Sequence, residues 1–265
     1  MARQSSAELG CVLITGASGG IGSELAMTFA EHGWHPVLVA RNRDRLRELA
    51  RDLEATHGVK ATVLPADLAD SGTPRAICDA LQAQDIEVDI LVNNAGLMFE
   101  GGFADTALDH HLALLQVNIV ALTALTRLLL EPMLRRGSGR ILNVASTAAF
   151  VPIPSLAAYA ASKAYVLSLT ESLSEELKGT GVTATALCPG FTDTEMVRSS
   201  ARGRQLPALV VMDARSVARQ GYAACLSGKA VHVAGLANDI AVSGAGYLPR
   251  WLVRTVGGLV ARHIA

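Results

Sequence analysis

Three side chains in the middle of this 265-residue chain could together move a proton. Ser146 follows an apolar run, Arg140-Ile141-Leu142-Asn143-Val144-Ala145, and a loop containing Pro152 and Pro154 leads on to Tyr159 and Lys163. Tyr159 and Lys163 stand four residues apart in a helix-patterned segment, so their side chains share one face. A free phenol ionises at about pH 10 and is a poor acid or base at neutrality. An ammonium one turn away favours the phenolate and is expected to lower that value. A serine hydroxyl at the end of the adjoining strand can hydrogen-bond the oxygen whose proton the phenol exchanges. This is a general acid–base device, and it needs a scaffold and a reaction.

The scaffold is legible as alternating strands and helices. Apolar runs at residues 11–15, 36–40, 60–64, 89–92, 140–146, 182–187 and 230–233 read as about seven strands. Helical spacing falls at 21–32, 43–56, 73–83, 105–135, from about Ser155 to Gly179, and at 214–226. Buried strands alternating with helices imply an α/β fold, a doubly wound parallel sheet covered on both faces. With no linker and no repeat, one domain over residues 1–265 is expected. Residues 191–212 are polar and rich in breakers and read as a mobile flap over the site.

Composition narrows the classes. Half of the residues are hydrophobic, which excludes a disordered chain, and a net charge of −1 gives no footprint for nucleic acid. Cys11, Cys78, Cys188 and Cys225 are far apart with no CxxC spacing, so neither a metal site nor a disulfide framework is expected. They read as buried thiols in a reducing compartment. The first ten residues lack the apolar centre of a signal peptide. No run reaches membrane-spanning length, since residues 121–130 are interrupted by Thr123, Thr126 and Arg127. The expectation is a cytoplasmic protein.

Between the first strand and first helix lies Thr15-Gly16-Ala17-Ser18-Gly19-Gly20-Ile21-Gly22. Glycines there allow a tight turn and close approach of backbone to a ligand, and helix N–H groups point at any anion that lies there. The same residues also fit GxSxG, the nucleophile elbow of a serine hydrolase, with His232 and His263 as candidate bases. That reading leaves Ser146, Tyr159 and Lys163 without a purpose.

The glycine turn, Asn93-Asn94-Ala95-Gly96, Ser146 and Tyr159-Ala160-Ala161-Ser162-Lys163 occur in this order, each on the expected element. In this the chain resembles the short-chain dehydrogenase/reductase family over about residues 12–233. The resemblance implies a Rossmann-like sheet and hydride transfer between a nicotinamide and a carbonyl carbon. It implies Tyr159 as the acid/base and Ser146, thirteen residues before it, as the group that fixes the substrate oxygen. Lys163 would lower the tyrosine pKa and hold the nicotinamide ribose, and Asn118 on the long helix would position a relaying water. By the same resemblance Gly16, Ser18, Gly20, Ile21 and Gly22 would cradle the cofactor. Asp67 and Leu68 would meet the adenine, and Asn94, Ala95 and Gly96 the ribose and adenine side. Pro189, Gly190 and Thr192 would lie over the nicotinamide. A homodimer or homotetramer is also implied. A cofactor-sensing protein without catalysis would carry a broken tetrad, and this tetrad is complete.

Cofactor choice is read after the second strand, where an acid would bind a ribose 2′-hydroxyl. Here Arg41-Asn42-Arg43 follows Ala40, with no acid before Asp44. Arg41 can pair with a 2′-phosphate, so NADP(H) is expected over NAD(H). The expected pocket wall is apolar, with Met98 and Val151 on the substrate together with Ser146 and Tyr159. A small, mainly hydrophobic ketone, aldehyde or secondary alcohol fits it, with a 3-oxoacyl thioester as the alternative. Residues 247–265 form an amphipathic pattern with Arg250, Arg254 and Arg262 off the apolar face. Docking against the domain or a partner subunit is the expectation, ahead of peripheral contact with a membrane.

Overall fold

The computed structural model describes residues 10–200, 207, 210–246 and 255. The strands are β1 (Cys11–Thr15), β2 (His35–Ala40), β3 (Thr62–Pro65), β4 (Val88–Asn93), β5 (Gly139–Val144), β6 (Val182–Cys188) and β7 (Val231–Val233). All pair in parallel, in the order β3-β2-β1-β4-β5-β6-β7. This is the doubly wound Rossmann-like sheet expected from the sequence. Strand order reverses between β1 and β4, which opens a crevice at their carboxyl ends, where such sheets bind ligands.

The helices are α1 (Gly20–Glu31), α2 (Arg43–His57), α3 (Thr73–Gln82), α4 (Leu108–Leu115), α5 (Leu122–Arg136), α6 (Ala157–Glu176), α7 (Glu195–Ser199), α8 (Ala214–Ser227) and α9 (Leu236–Gly246). Strand side chains alternate between faces. Val12, Ile14 and Leu38 join Leu25 and Phe29 of α1 and Val217 of α8 in one buried cluster. Leu13, Leu91 and Ile141 pack on the opposite face with Leu125 and Met133 of α5. Both faces are therefore covered, as near-continuous apolar strands require.

Several boundaries differ from the sequence reading. The long helix begins at Leu108, and between α4 and α5 it passes through a π-helical turn at Gln116–Ala121. A π turn accommodates one more residue than an α turn, and apolar spacing does not reveal it. This continuous helix, Leu108–Arg136, has the length and apolarity of a membrane span, which corrects the expectation that no run does. Its inner residues Leu114, Val117, Leu125 and Met133 are buried in the protein core, as in a sheet-covering helix. Helix α6 starts at Ala157 rather than near Ser155, because Ser155 is left-handed at φ 62°. The flap contains the short helix α7, and α9 follows β7 where the apolar spacing marks no helix. The expected C-terminal helix at 247–265 lies outside the described residues apart from Thr255. All four cysteines are unpaired, and burial pushes the Cys188 and Cys225 thiols up to about 12.

Candidate active site

The glycine turn is held from below by Thr15, a residue outside the motif's glycines. Thr15, the buried last residue of β1, accepts the backbone N–H groups of Asn94 and Ala95 on its hydroxyl, each at 3.0 Å. In return Asn94 Nδ2 donates to the carbonyls of Thr15 (2.9 Å) and Gly16 (3.2 Å). These bonds lock the ends of β1 and β4 together across the switch point. They also place Asn94, Ala95 and Gly96 beside the turn. A hydroxyl ending an apolar strand marks Thr15 in the sequence as it marks Ser146.

Gly16 has φ 67°, and a Cβ there would stand 2.8 Å from Ala95 Cα. A Cβ on Gly22 would stand 2.2 Å from the Gly16 carbonyl oxygen and 2.4 Å from Asn94 Nδ2. Gly22 is thus a packing requirement of the turn and, unlike the other expected cofactor residues, does not line the cavity. At the start of α1 the cap residue is Gly19, so no side chain satisfies the first helical N–H groups. Bare glycines and uncapped N–H groups suit a phosphate.

Above this turn lies a cavity of about 710 Å³. Gly16, Ser18, Gly20 and Ile21 line one part of it, with Arg41 from the end of β2 and Asp67 and Leu68 from the end of β3. Asn94, Ala95 and Gly96 lead to the far part, formed by Ser146, Tyr159, Lys163, Pro189, Gly190 and Thr192. Met98 also lines it, whereas Val151 does not. Asp67 accepts the Ala69 N–H at 3.0 Å and so closes a turn; α3 starts only at Thr73. Gly190 is fixed by α9, since a Cβ there would stand 2.5 Å from Asn238 Nδ2. A second hollow of about 650 Å³, between α2 and β3 among Asp44, Arg47, Ala50, Arg51, Glu54 and Val63, offers no comparable chemistry.

The proton-transfer groups meet as the spacing predicts, with one correction. Lys163 Nζ donates to the Val144 carbonyl at 2.8 Å and lies 5.8 Å from the Tyr159 ring centroid. Burial lowers the Lys163 pKa to about 8. Burial also raises the Tyr159 pKa, with a hydrogen bond from Ser146 opposing more weakly. The net shift of the phenol is thus upward, where the spacing predicts a lowering by Lys163. The ammonium is spent on a strand carbonyl, and loss of water around the phenol outweighs any stabilisation of phenolate. Ser146 Oγ accepts the Ala148 N–H at 3.1 Å and donates to the Pro189 carbonyl at 3.4 Å, which fixes its position.

Asn118 sits in the π turn and is buried. Its Oδ1 accepts the Leu97 N–H (2.8 Å), and Nδ2 donates to the Leu97 carbonyl (3.0 Å) and to Ser162 Oγ (3.0 Å). Both amide hydrogens are committed, and the residue does not line the cavity. Through this amide Asn118 joins the loop after β4 to α6 one residue from Lys163.

The hydrolase reading finds no support. Ser18 lines the cavity, but His232 is engaged with Gln220 Oε1 at 3.2 Å, and His263 lies outside the described residues.

A family model described as short chain dehydrogenase matches residues 10–205, nearly three quarters of the chain. The chain belongs to the short-chain dehydrogenase/reductase family. Members of this family are oxidoreductases that act on CH–OH and C=O groups with a nicotinamide cofactor. Over 182 residues the chain is 38% identical to the ketoacyl reductase HetN of Nostoc, a match covering 68% of this chain and 62% of HetN. It thus spans less than two thirds of that relative's length. A short-chain dehydrogenase from Sphingobium yanoikuyae, solved in complex with NADPH, superposes with a TM-score of 0.81 at 34% identity. That match covers 90% of this chain and 93% of the other. The bulky-bulky ketone specific alcohol dehydrogenase from Comamonas testosteroni follows at 0.77 and 30%, with the same two coverages.

Proposed function

We propose that this short-chain dehydrogenase/reductase is an NADP(H)-dependent reductase of small, mainly hydrophobic ketones, with Tyr159 as the proton donor. The observation that carries this reading is the single cavity shared by the glycine turn, Arg41, Ser146, Tyr159 and Lys163. When bound, the nicotinamide supplies the hydride. Ser146 donates its hydroxyl hydrogen to the carbonyl oxygen, exchanging its long bond to Pro189 for one to substrate. Tyr159 then delivers its proton to the same oxygen as negative charge develops there. A phenol whose pKa is raised by burial keeps that proton at neutral pH. Lys163 keeps a positive charge beneath the site, and Asn118 fixes Leu97 and Ser162 around it.

The pH dependence follows from Lys163. Its ammonium is present below about pH 8 and is lost as the pH rises through that value. The kcat/KM for reduction, which reports free-enzyme groups, is therefore expected to fall above about pH 8. A profile that stays level to about pH 10, where a free lysine ammonium first titrates, contradicts this assignment.

Cofactor preference rests on Arg41, which lines the cavity at the end of β2. A charge-assisted pair with a 2′-phosphate amounts to about tenfold or more in affinity. Arg41→Ser is expected to lower kcat/KM with NADPH by about that factor and to leave NADH within about twofold. Equal kcat/KM values for both cofactors in the unaltered protein would overturn the preference. The NADPH complex of the Sphingobium relative supports it. The Comamonas relative, named for bulky ketones, supports a hydrophobic substrate, and HetN supports a 3-oxoacyl thioester as the second reading. Comparing a simple aromatic ketone with a 3-oxoacyl thioester under the same conditions separates the two.

A further inference from the structure

The cavity is bounded by a second arginine and by an acid from the flap, neither of which the proposed mechanism uses. Arg45 Nη1 lies 3.0 Å from Glu195 Oε2, and both residues line the cavity that also holds Arg41. Arg45 is in the first turn of α2, where its N–H is capped by Asn42 Oδ1 at 3.0 Å. A cation at a helix N-terminus opposes the helix dipole, so the position is electrostatically poor for an arginine unless an anion is to sit near it. Arg43, equally early in the helix, does not line the cavity.

Glu195 opens α7, and the flap is gathered at its base. Thr192 bridges to Met212, the Asp193 N–H donates to the Met212 carbonyl at 2.8 Å, and the Met212 N–H donates to that of Phe191 at 2.8 Å. From this neck the chain runs over the glycine turn, where Thr194 Cγ2 stands 3.0 Å from the place of a Gly20 Cβ. The Arg45–Glu195 pair therefore fastens the flap across the cavity to the helix that follows Arg41. Both side chains are more than half exposed, at 54% and 76%, so the fastening is weak and exchangeable.

We propose that Arg45 is a second reader of the cofactor's 2′-phosphate, and that in the free protein Glu195 of the flap occupies it. The phosphate and the Glu195 carboxylate compete for one guanidinium. A cofactor with the phosphate takes Arg45 and releases the flap's acid; a cofactor without it leaves the pair intact. The flap thereby senses which nicotinamide is present. This rests on the NADP(H) reading given above.

The test is calorimetric titration of adenosine 2′,5′-bisphosphate and adenosine 5′-phosphate, which carry no nicotinamide and require no turnover. Arg45→Met is expected to weaken the bisphosphate about tenfold and to leave the monophosphate within about twofold. Glu195→Gln is expected to tighten the bisphosphate about threefold, a gain that disappears when Arg45→Met is also present. If that gain persists without Arg45, Glu195 acts only by repulsion at a distance and the competition is overturned. If the unaltered protein prefers the bisphosphate and Arg45→Met keeps the full preference, the role of Arg45 is overturned while the NADP(H) reading stands. Equal binding of both nucleotides by the unaltered protein overturns both.

Discussion

Tyr159→Phe is expected to lower kcat for ketone reduction by about a thousandfold, with NADPH affinity within about twofold of the unaltered protein. The substitution removes one oxygen and keeps the ring. Packing on α6 and the place of Lys163, whose Nζ lies 5.8 Å from the ring centroid, should persist. The Val144 carbonyl that holds Lys163 belongs to β5 and does not depend on the phenol. What disappears is the group that the proposed mechanism assigns as proton donor, a role that contributes about 10²–10⁴ in rate. Ser146 cannot take over, because a serine hydroxyl is a far weaker acid than a phenol. Loss confined to kcat marks a transition-state role. A variant that binds NADPH and reduces ketones undiminished would move the proton donor elsewhere.

Gly22→Ala is expected to carry the second large effect, through packing. A Cβ at this position meets the Gly16 carbonyl oxygen at 2.2 Å, and that oxygen is backbone inside the cofactor turn. Asn94 Nδ2, at 2.4 Å, is no freer, since it bonds the Thr15 and Gly16 carbonyls. Relief requires the turn itself to move, so overpacking of about 1–3 kcal/mol is expected together with at least about tenfold weaker NADPH binding. For a chain of this size the melting temperature should fall by roughly 5 °C. Gly19→Ala is the control: nothing lies within 4 Å of its Cβ position, and a change within about 2 °C is expected. Equal behaviour of the two variants in thermal melts would show that close approach at Gly22 is not what requires glycine.

The sheet and the meeting of Ser146, Tyr159 and Lys163 were legible because they depend on local rules. Apolar runs mark buried strands, and a spacing of four puts two side chains on one helix face. What escaped depends on contacts distant in sequence. The π turn around Asn118 leaves no trace in apolar periodicity, so the use of its amide on Leu97 and Ser162 could not be read. The direction of the Tyr159 shift is not legible in the sequence, because spacing predicts a neighbouring charge but not the burial that outweighs it. Helix α9 follows Gly235, and its Asn238 shapes the surroundings of Gly190 from nearly fifty residues away. Arg45 and Glu195 are 150 residues apart and meet only because the flap crosses the cavity.

The central claim is that this chain moves a hydride from NADPH to a carbonyl carbon. The most direct measurement follows NADPH absorbance and alcohol formation together, in the unaltered protein, over a panel of hydrophobic ketones and a 3-oxoacyl thioester. The expected result is one NADPH consumed for each alcohol formed, with at least one member of the panel turned over. A folded protein that binds NADPH and oxidises it with none of them would contradict the claim.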